Sequence, residues 1–171
     1  MIIAIFGLPG SGKTFFAKQL ASRINGIHVS SDAVRNSLKQ QTKYNDAAKM
    51  EVYQLMLSLL EKGIADRRAV VLDATFYKES IRNLFRKKAQ ELNTTLYFIE
   101  MQADESVIKI RTNEHRQDSE ADFGVYLKIK KEFEPLEEDH LVLHTGIEQP
   151  ESEMLSKALD YINYHDGRAA D

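Results

Sequence analysis

The stretch GLPGSGKT, Gly7 to Thr14, follows directly on the apolar run Ile2 to Phe6. Its three glycines and one proline exclude a regular helix or strand at that point. Gly7, Gly12, Lys13 and Thr14 fit the spacing G-x-x-x-x-G-K-[ST], in which glycines let successive backbone N–H groups turn inward onto phosphate oxygens. The context also fits. Ile2 to Phe6 reads as a central parallel strand buried on both faces. Lys13 to Ile24 reads as a helix with Phe16, Ala17, Leu20 and Ala21 on one side, and Gly26 near its end. The positive end of that helix adds to the field of the loop. Lys13 is expected to reach the β- and γ-phosphates of a nucleotide, and the Thr14 hydroxyl to hold Mg²⁺. Leu8, Pro9, Gly10, Ser11 and Gly12 would line the same phosphates. The plainer alternative is a glycine-rich turn that only links strand to helix.

The rest of the chain alternates strand and helix. GIHVSSD is a short strand running into Ser31 and Asp32, both good N-caps for a helix through Leu38. Asp46 to Lys62 has helical spacing and Gly63 to stop it. AVVLDA is a buried strand, and Glu79 to Leu92 an amphipathic helix with Arg82, Arg86 and Lys87 turned outward as a hydrated face. TLYFIEM and HLVLHT are further strands. Helices are expected from about Asp104 to His115, Val125 to Phe133 and Glu151 to Tyr164. This order predicts an α/β fold, a parallel sheet with helices on both faces. A length of 171 residues suits one domain, residues 1–171, with a frayed tail over about 166–171. The polar run RQDSEAD, Arg116 to Asp122, lies between two helices without an apolar anchor and is the candidate for a small mobile lid.

Three further groups carry chemistry. Asp32 and Arg35 stand at the C-terminal end of the second strand, the edge where open α/β sheets bind ligands. A carboxylate there would accept the proton of an attacking hydroxyl, and Arg35 would hold the substrate; alternatively Asp32 only caps its helix. Asp73 ends a buried strand, as a carboxylate that holds Mg²⁺ through water does, or else makes a local turn bond. Thr75 points near the same cleft as a substrate contact. Arg111 and Arg116, before and at the start of the lid, would supply positive charge to a transferring phosphoryl group, or else form a solvated surface. His140 and His144 lie on one strand face without an evident third metal ligand.

A formal net charge of −3 disfavours a nucleic-acid backbone as the main partner, although a local basic groove remains open. The chain has no cysteine, which removes thiolate catalysis and disulfides. Its longest early apolar run is too short for a membrane span or a secretory leader, so a cytoplasmic location is expected.

GLPGSGKTFFAKQLA, SSDAVR, VVLDATF and RTNEHRQDSEADFGVYLKIKKEFEP resemble, in that order, the polynucleotide-kinase-like group of P-loop kinases, which includes zeta-toxin and chloramphenicol phosphotransferase relatives. The resemblance runs from about Met1 to Gly146. It implies a five-stranded sheet in the order 2-3-1-4-5 and a lid that donates arginines. It implies Asp32 as general base, Arg35 as substrate ligand, and Arg111 and Arg116 as nucleotide-phosphate or lid contacts. Members that phosphorylate polynucleotide 5′-ends tend to carry an acidic residue, Thr and Asn after the third strand, where this chain has Ala74, Thr75 and Phe76. That departure argues against a polynucleotide acceptor.

The expected function is transfer of the γ-phosphoryl group of ATP, with Mg²⁺, to a hydroxyl of a small molecule or a nucleic-acid 5′-end. A P-loop ATPase or switch with water as its only acceptor is the rival, and a non-enzymatic nucleotide-binding module a third reading. The chain lacks a guanine-specific N-K-x-D segment, which disfavours a GTPase.

Overall fold

Every residue of Ile2–Phe6 is buried, because this strand (β1) lies in the middle of a sheet with apolar layers on both sides. The computed structural model describes residues 1–38, 46–113, 123–146 and 150–165, with side chains for all of these except 46, 113, 164 and 165. The lid candidate, Arg116 and the tail lie outside the described residues.

The elements after β1 are α1 (Lys13–Arg23), β2 (Ile27–Ser30), α2 (Ser31–Ser37), α3 (Asp46–Ala65), β3 (Val70–Asp73) and α4 (Glu79–Glu91). They continue with β4 (Leu96–Gln102), α5 (Glu105–Asn113), α6 (Phe123–Glu132), β5 (Leu141–His144) and α7 (Glu151–His165). All strand pairs are parallel, in the order β2-β3-β1-β4-β5. The expected order 2-3-1-4-5 is therefore the observed one.

Side chains alternate along the strands between two cores. Ile2, Ala4 and Phe6 face one side with Val70, Leu72 and Phe98, where Tyr53, Met56 and Leu60 of α3 and Ile81 and Phe85 of α4 cover them. Ile3, Ile5, Val71, Tyr97 and Ile99 face the other side, beneath Phe16 and Leu20 of α1 and Met154, Ala158 and Ile162 of α7. Ile5 of β1 and Ser30 of β2 both stand opposite Asp73 of β3. That register brings the phosphate-loop segment, the start of α2 and the end of β3 to one rim.

Local details differ from the sequence expectation. Ile24 caps α1, and Asn25, not Gly26, takes the left-handed turn with φ 51°. Ser30 is the N-cap of α2, so Ser31 and Asp32 are its first two helical residues, not caps. Helix α3 runs past Gly63 to Ala65. A Cβ on Gly63 would stand 2.6 Å from Val70 Cγ2, so this glycine lets the helix approach β3 and does not end it. Arg82 points inward instead of outward. It is wholly buried, and three backbone carbonyls and the Glu79 carboxylate match its guanidinium donors.

Candidate active site

The loop between β1 and α1 is shaped by two demands on its backbone. Gly7 has φ +134°, and a Cβ there would lie 2.3 Å from the Met101 carbonyl oxygen, so no side chain fits. Gly12 is the N-cap of α1 with φ 89°, and it offers no side chain to the first turn. No acidic residue occupies that turn either. The N–H groups of the first turn thus lack a side-chain acceptor and end beside Lys13, an arrangement that attracts an anion. Ser11 Oγ, also in the loop, is buried without a hydrogen-bond partner.

The loop is tied down from behind. Thr145, just past β5, donates from Oγ1 to the Ser11 carbonyl at 2.9 Å. Arg111 of α5 donates from Nη1 to Thr145 Oγ1 at 2.8 Å and to the Gly10 carbonyl at 3.3 Å. Two backbone carbonyls of the loop, those of Gly10 and Ser11, are therefore held from the Arg111 and Thr145 side.

Lys13 is buried and donates from Nζ to the Leu8 carbonyl at 2.8 Å. Burial pushes its ammonium down from the ordinary lysine value, and the Asp73 and Asp32 carboxylates pull it up again. Asp32 in the first turn of α2 and Asp73 at the end of β3 thus both act electrostatically on this one cation. Asp73 is almost fully buried; its Oδ2 lies 3.4 Å from His28 Nε2 of β2, and neither atom has a hydrogen-bond partner. A buried carboxylate oxygen left in this state suits a water-shelled cation, and the half-buried Thr14 hydroxyl at the start of α1 is a second oxygen donor of the right kind.

Thr75 lies in the β3–α4 connection. Its carbonyl accepts from Gly7 N–H at 3.4 Å, and its side chain lies close enough to the Tyr53 phenol of α3 to influence its ionisation. Burial pushes that phenol up to about 12, while Thr75 and the Arg35 guanidinium act in the opposite direction. Nearby, Lys49 Nζ donates to Tyr77 Oη at 3.1 Å.

Of the residues read from sequence, the structure thus gathers the phosphate loop, Asp32, Arg35, Asp73 and Thr75 at one rim, with Arg111 behind the loop. Arg116 lies outside the described residues. His140 and His144 do not act as a pair: His140 stands before β5, with Nε2 3.3 Å from Glu100 Oε2. Sequence reasoning missed Tyr53 and His28; the segment His144 to Gly146, just past the last strand, reads from sequence as a place beside an adenine ring, and in the structure its Thr145 holds the phosphate loop. The signal for Tyr53 was a phenol set in an apolar helical stripe, since such a hydroxyl needs a partner. His28 carried no signal of its own.

The AAA_33 family, an AAA domain, matches residues 2–136. Among solved structures, the chain is similar to an unliganded sugar kinase from Janibacter sp. HTCC2649, with TM-score 0.71 and 16% identity over 99% of this chain and 98% of that one. It is similar to the Mycobacterium tuberculosis APS kinase in complex with AMPPNP and APS, with TM-score 0.73 and 16% identity over 95% and 96%. It is also similar to Chaetomium thermophilum Kti12 in complex with ADP-AlF3, with TM-score 0.71 and 16% identity over 94% and 98%. At such identities the likeness is one of fold, the P-loop NTPase fold. Among the described residues, no helix is long and apolar enough to cross a membrane.

Proposed function

The chain belongs to the AAA_33 family of AAA domains, and on that premise we propose that it is an ATP- and Mg²⁺-dependent kinase acting on a hydroxyl. The observation that carries this reading is the buried Lys13 at an uncapped helix start, with the charges of two carboxylates, Asp73 at the end of β3 and Asp32 in the first turn of α2, acting on it. A phosphate site alone needs only the loop. The second carboxylate, in the first turn of α2 just past β2, is what an acceptor requires.

The backbone from Leu8 to Thr14 receives the β- and γ-phosphates, and Lys13 exchanges its bond to Leu8 for phosphate oxygens. Mg²⁺, when bound, neutralises phosphate charge, and Thr14 and Asp73 are the residues that hold it. Asp32 takes the proton of the acceptor hydroxyl as that oxygen attacks the γ-phosphorus. The bond from γ-phosphorus to the bridging oxygen breaks, leaving ADP and a phosphomonoester. Arg35 and Thr75 position the acceptor. Arg111 and Arg116 contribute positive charge on the nucleotide side.

The finer placement in the polynucleotide-kinase-like and zeta-toxin-like group rests on the four quoted segments. The acceptor is a small-molecule hydroxyl or a nucleic-acid 5′-end, with the net charge of −3 favouring the former. A chain without cysteine suits a cytoplasmic setting.

The test is transfer of label from γ-labelled ATP to a panel of hydroxyl compounds: a 5′-hydroxyl oligonucleotide, gluconate, neutral sugars, nucleosides and polyols. Label in one acceptor class is the expected result. Label released only as inorganic phosphate across the panel would overturn the kinase reading in favour of an ATPase.

A further inference from the structure

A fully buried, heavily bonded side chain lies outside the phosphate site. Arg82, on the first turn of α4, is 0% exposed. Its Nη1 donates to the Phe76 carbonyl and the Glu134 carbonyl, both at 2.9 Å. Its Nη2 donates to the Pro135 carbonyl at 3.3 Å, and its Nε to Glu79 Oε2 at 3.0 Å. Two more bonds close the same node: Glu134 N–H donates to the Tyr77 carbonyl at 2.8 Å, and Glu79 N–H to the Glu134 carboxylate at 2.6 Å. One guanidinium therefore joins the β3–α4 connection, the start of α4 and the segment after α6.

The connection it holds is the one that carries Thr75. Phe76, next in sequence, has φ 44°, a left-handed conformation unfavourable for a bulky residue, and its ring is fully buried against Phe85 and Tyr53. Such a conformation persists only where surrounding bonds impose it, and the bond from Arg82 to the Phe76 carbonyl is one of them. With Phe76 fixed, the Thr75 side chain stays near the Tyr53 phenol and the Thr75 carbonyl accepts from Gly7 N–H. None of the oxygens that Arg82 binds belongs to the phosphate loop.

We propose that Arg82 is a positioning residue for the acceptor side of the cleft: it fixes the Thr75–Tyr77 loop and makes acceptor binding depend on the segment that follows α6. This rests on the kinase reading above. It further requires that loosening the node weaken the acceptor while leaving ATP alone.

The experiment uses the full chain, with the panel compound that accepts most label as acceptor. Arg82→Lys keeps the charge and loses the fork that reaches three carbonyls. Glu134→Ala removes only an exposed carboxylate and serves if Arg82→Lys does not fold. Both variants are read for acceptor KM, ATP KM and amide exchange at residues 74–78 against residues 10–14. Arg82→Lys is expected to raise acceptor KM by about ten-fold or more, with ATP KM within about two-fold and faster exchange confined to 74–78. Glu134→Ala moves acceptor KM the same way by about three-fold. The two constants rising together, or an unchanged acceptor KM in a folded variant, overturns the proposal. Failure of the kinase reading looks different: the unaltered chain itself transfers no label.

Discussion

The Lys13 ammonium donates a 2.8 Å hydrogen bond to the Leu8 carbonyl oxygen, so the lysine spans the loop to which it belongs. Phosphate binding must replace this bond with stronger, charge-assisted ones. Removing the ammonium in Lys13→Met is expected to weaken Mg-ATP binding by about 10- to 100-fold, the worth of one or two charged hydrogen bonds, as read by titration calorimetry. Stability should move in the opposite sense. Burial depresses the folded-state value of Lys13 below the ordinary 10.5. The unfolded chain then binds the proton more tightly, and unliganded stability rises with pH from the folded value up to 10.5. Lys13→Met should lose that part of the slope in denaturant unfolding between neutral and alkaline pH. An unchanged slope contradicts the assignment.

Gly7 tests the shape of the loop directly. A Cβ at this position would stand 2.3 Å from the Met101 carbonyl oxygen, a backbone atom of β4 that cannot move alone. Gly7→Ala is expected to cost on the order of 3 kcal/mol in denaturant unfolding, through overpacking and a disfavoured φ. A variant as stable as the unaltered chain would show that the loop sits elsewhere.

The Thr145 hydroxyl accepts from Arg111 and donates to the Ser11 carbonyl. Thr145→Val keeps the volume and loses both bonds, which should weaken nucleotide binding by about three- to ten-fold as the loop loses its rear support. Thr145→Ser should restore most of it, because the hydroxyl and not the methyl makes the contact. Equal losses for both substitutions would argue that packing, and not the hydrogen bonds, holds the loop.

Glu79 sets a pH limit. Burial pushes its carboxyl up, but the Arg82 and Arg86 guanidiniums outweigh this and hold it below its ordinary value of 4.5. The stability it contributes is therefore complete above pH 4.5 and is lost as pH falls through the folded-state value. Glu79→Gln should flatten the acid limb of the unfolding profile below that pH and leave the alkaline limb as it was. The side chain is 48% exposed, so solvent screening keeps the effect to about 1 kcal/mol or less.

Much of the sheet and part of the site were legible in the sequence, for physical reasons. Ile2–Phe6 and Val70–Leu72 are continuous apolar runs because both faces of the sheet are covered, and such runs announce themselves. The phosphate loop is legible because its glycines answer steric demands fixed by spacing. Arg82 was misread because charge says nothing of direction: the carbonyls that satisfy it come from Phe76, Glu134 and Pro135, two of them more than fifty positions away. Gly63 was misread because a glycine that ends a helix and one that admits a neighbouring strand look alike until Val70 is in place. Tyr53 went unnoticed, since its approach to Thr75 exists only once α3 lies over β3.

The kinase reading meets its most direct test in a comparison of the unaltered chain with Asp32→Ala, following label from γ-labelled Mg-ATP into acceptor and into inorganic phosphate, alongside the affinity for Mg-ATP. Loss of a general base should slow transfer by about 10²- to 10⁴-fold while nucleotide affinity stays within about three-fold. Transfer by Asp32→Ala at the rate of the unaltered chain would contradict the role given to the second carboxylate.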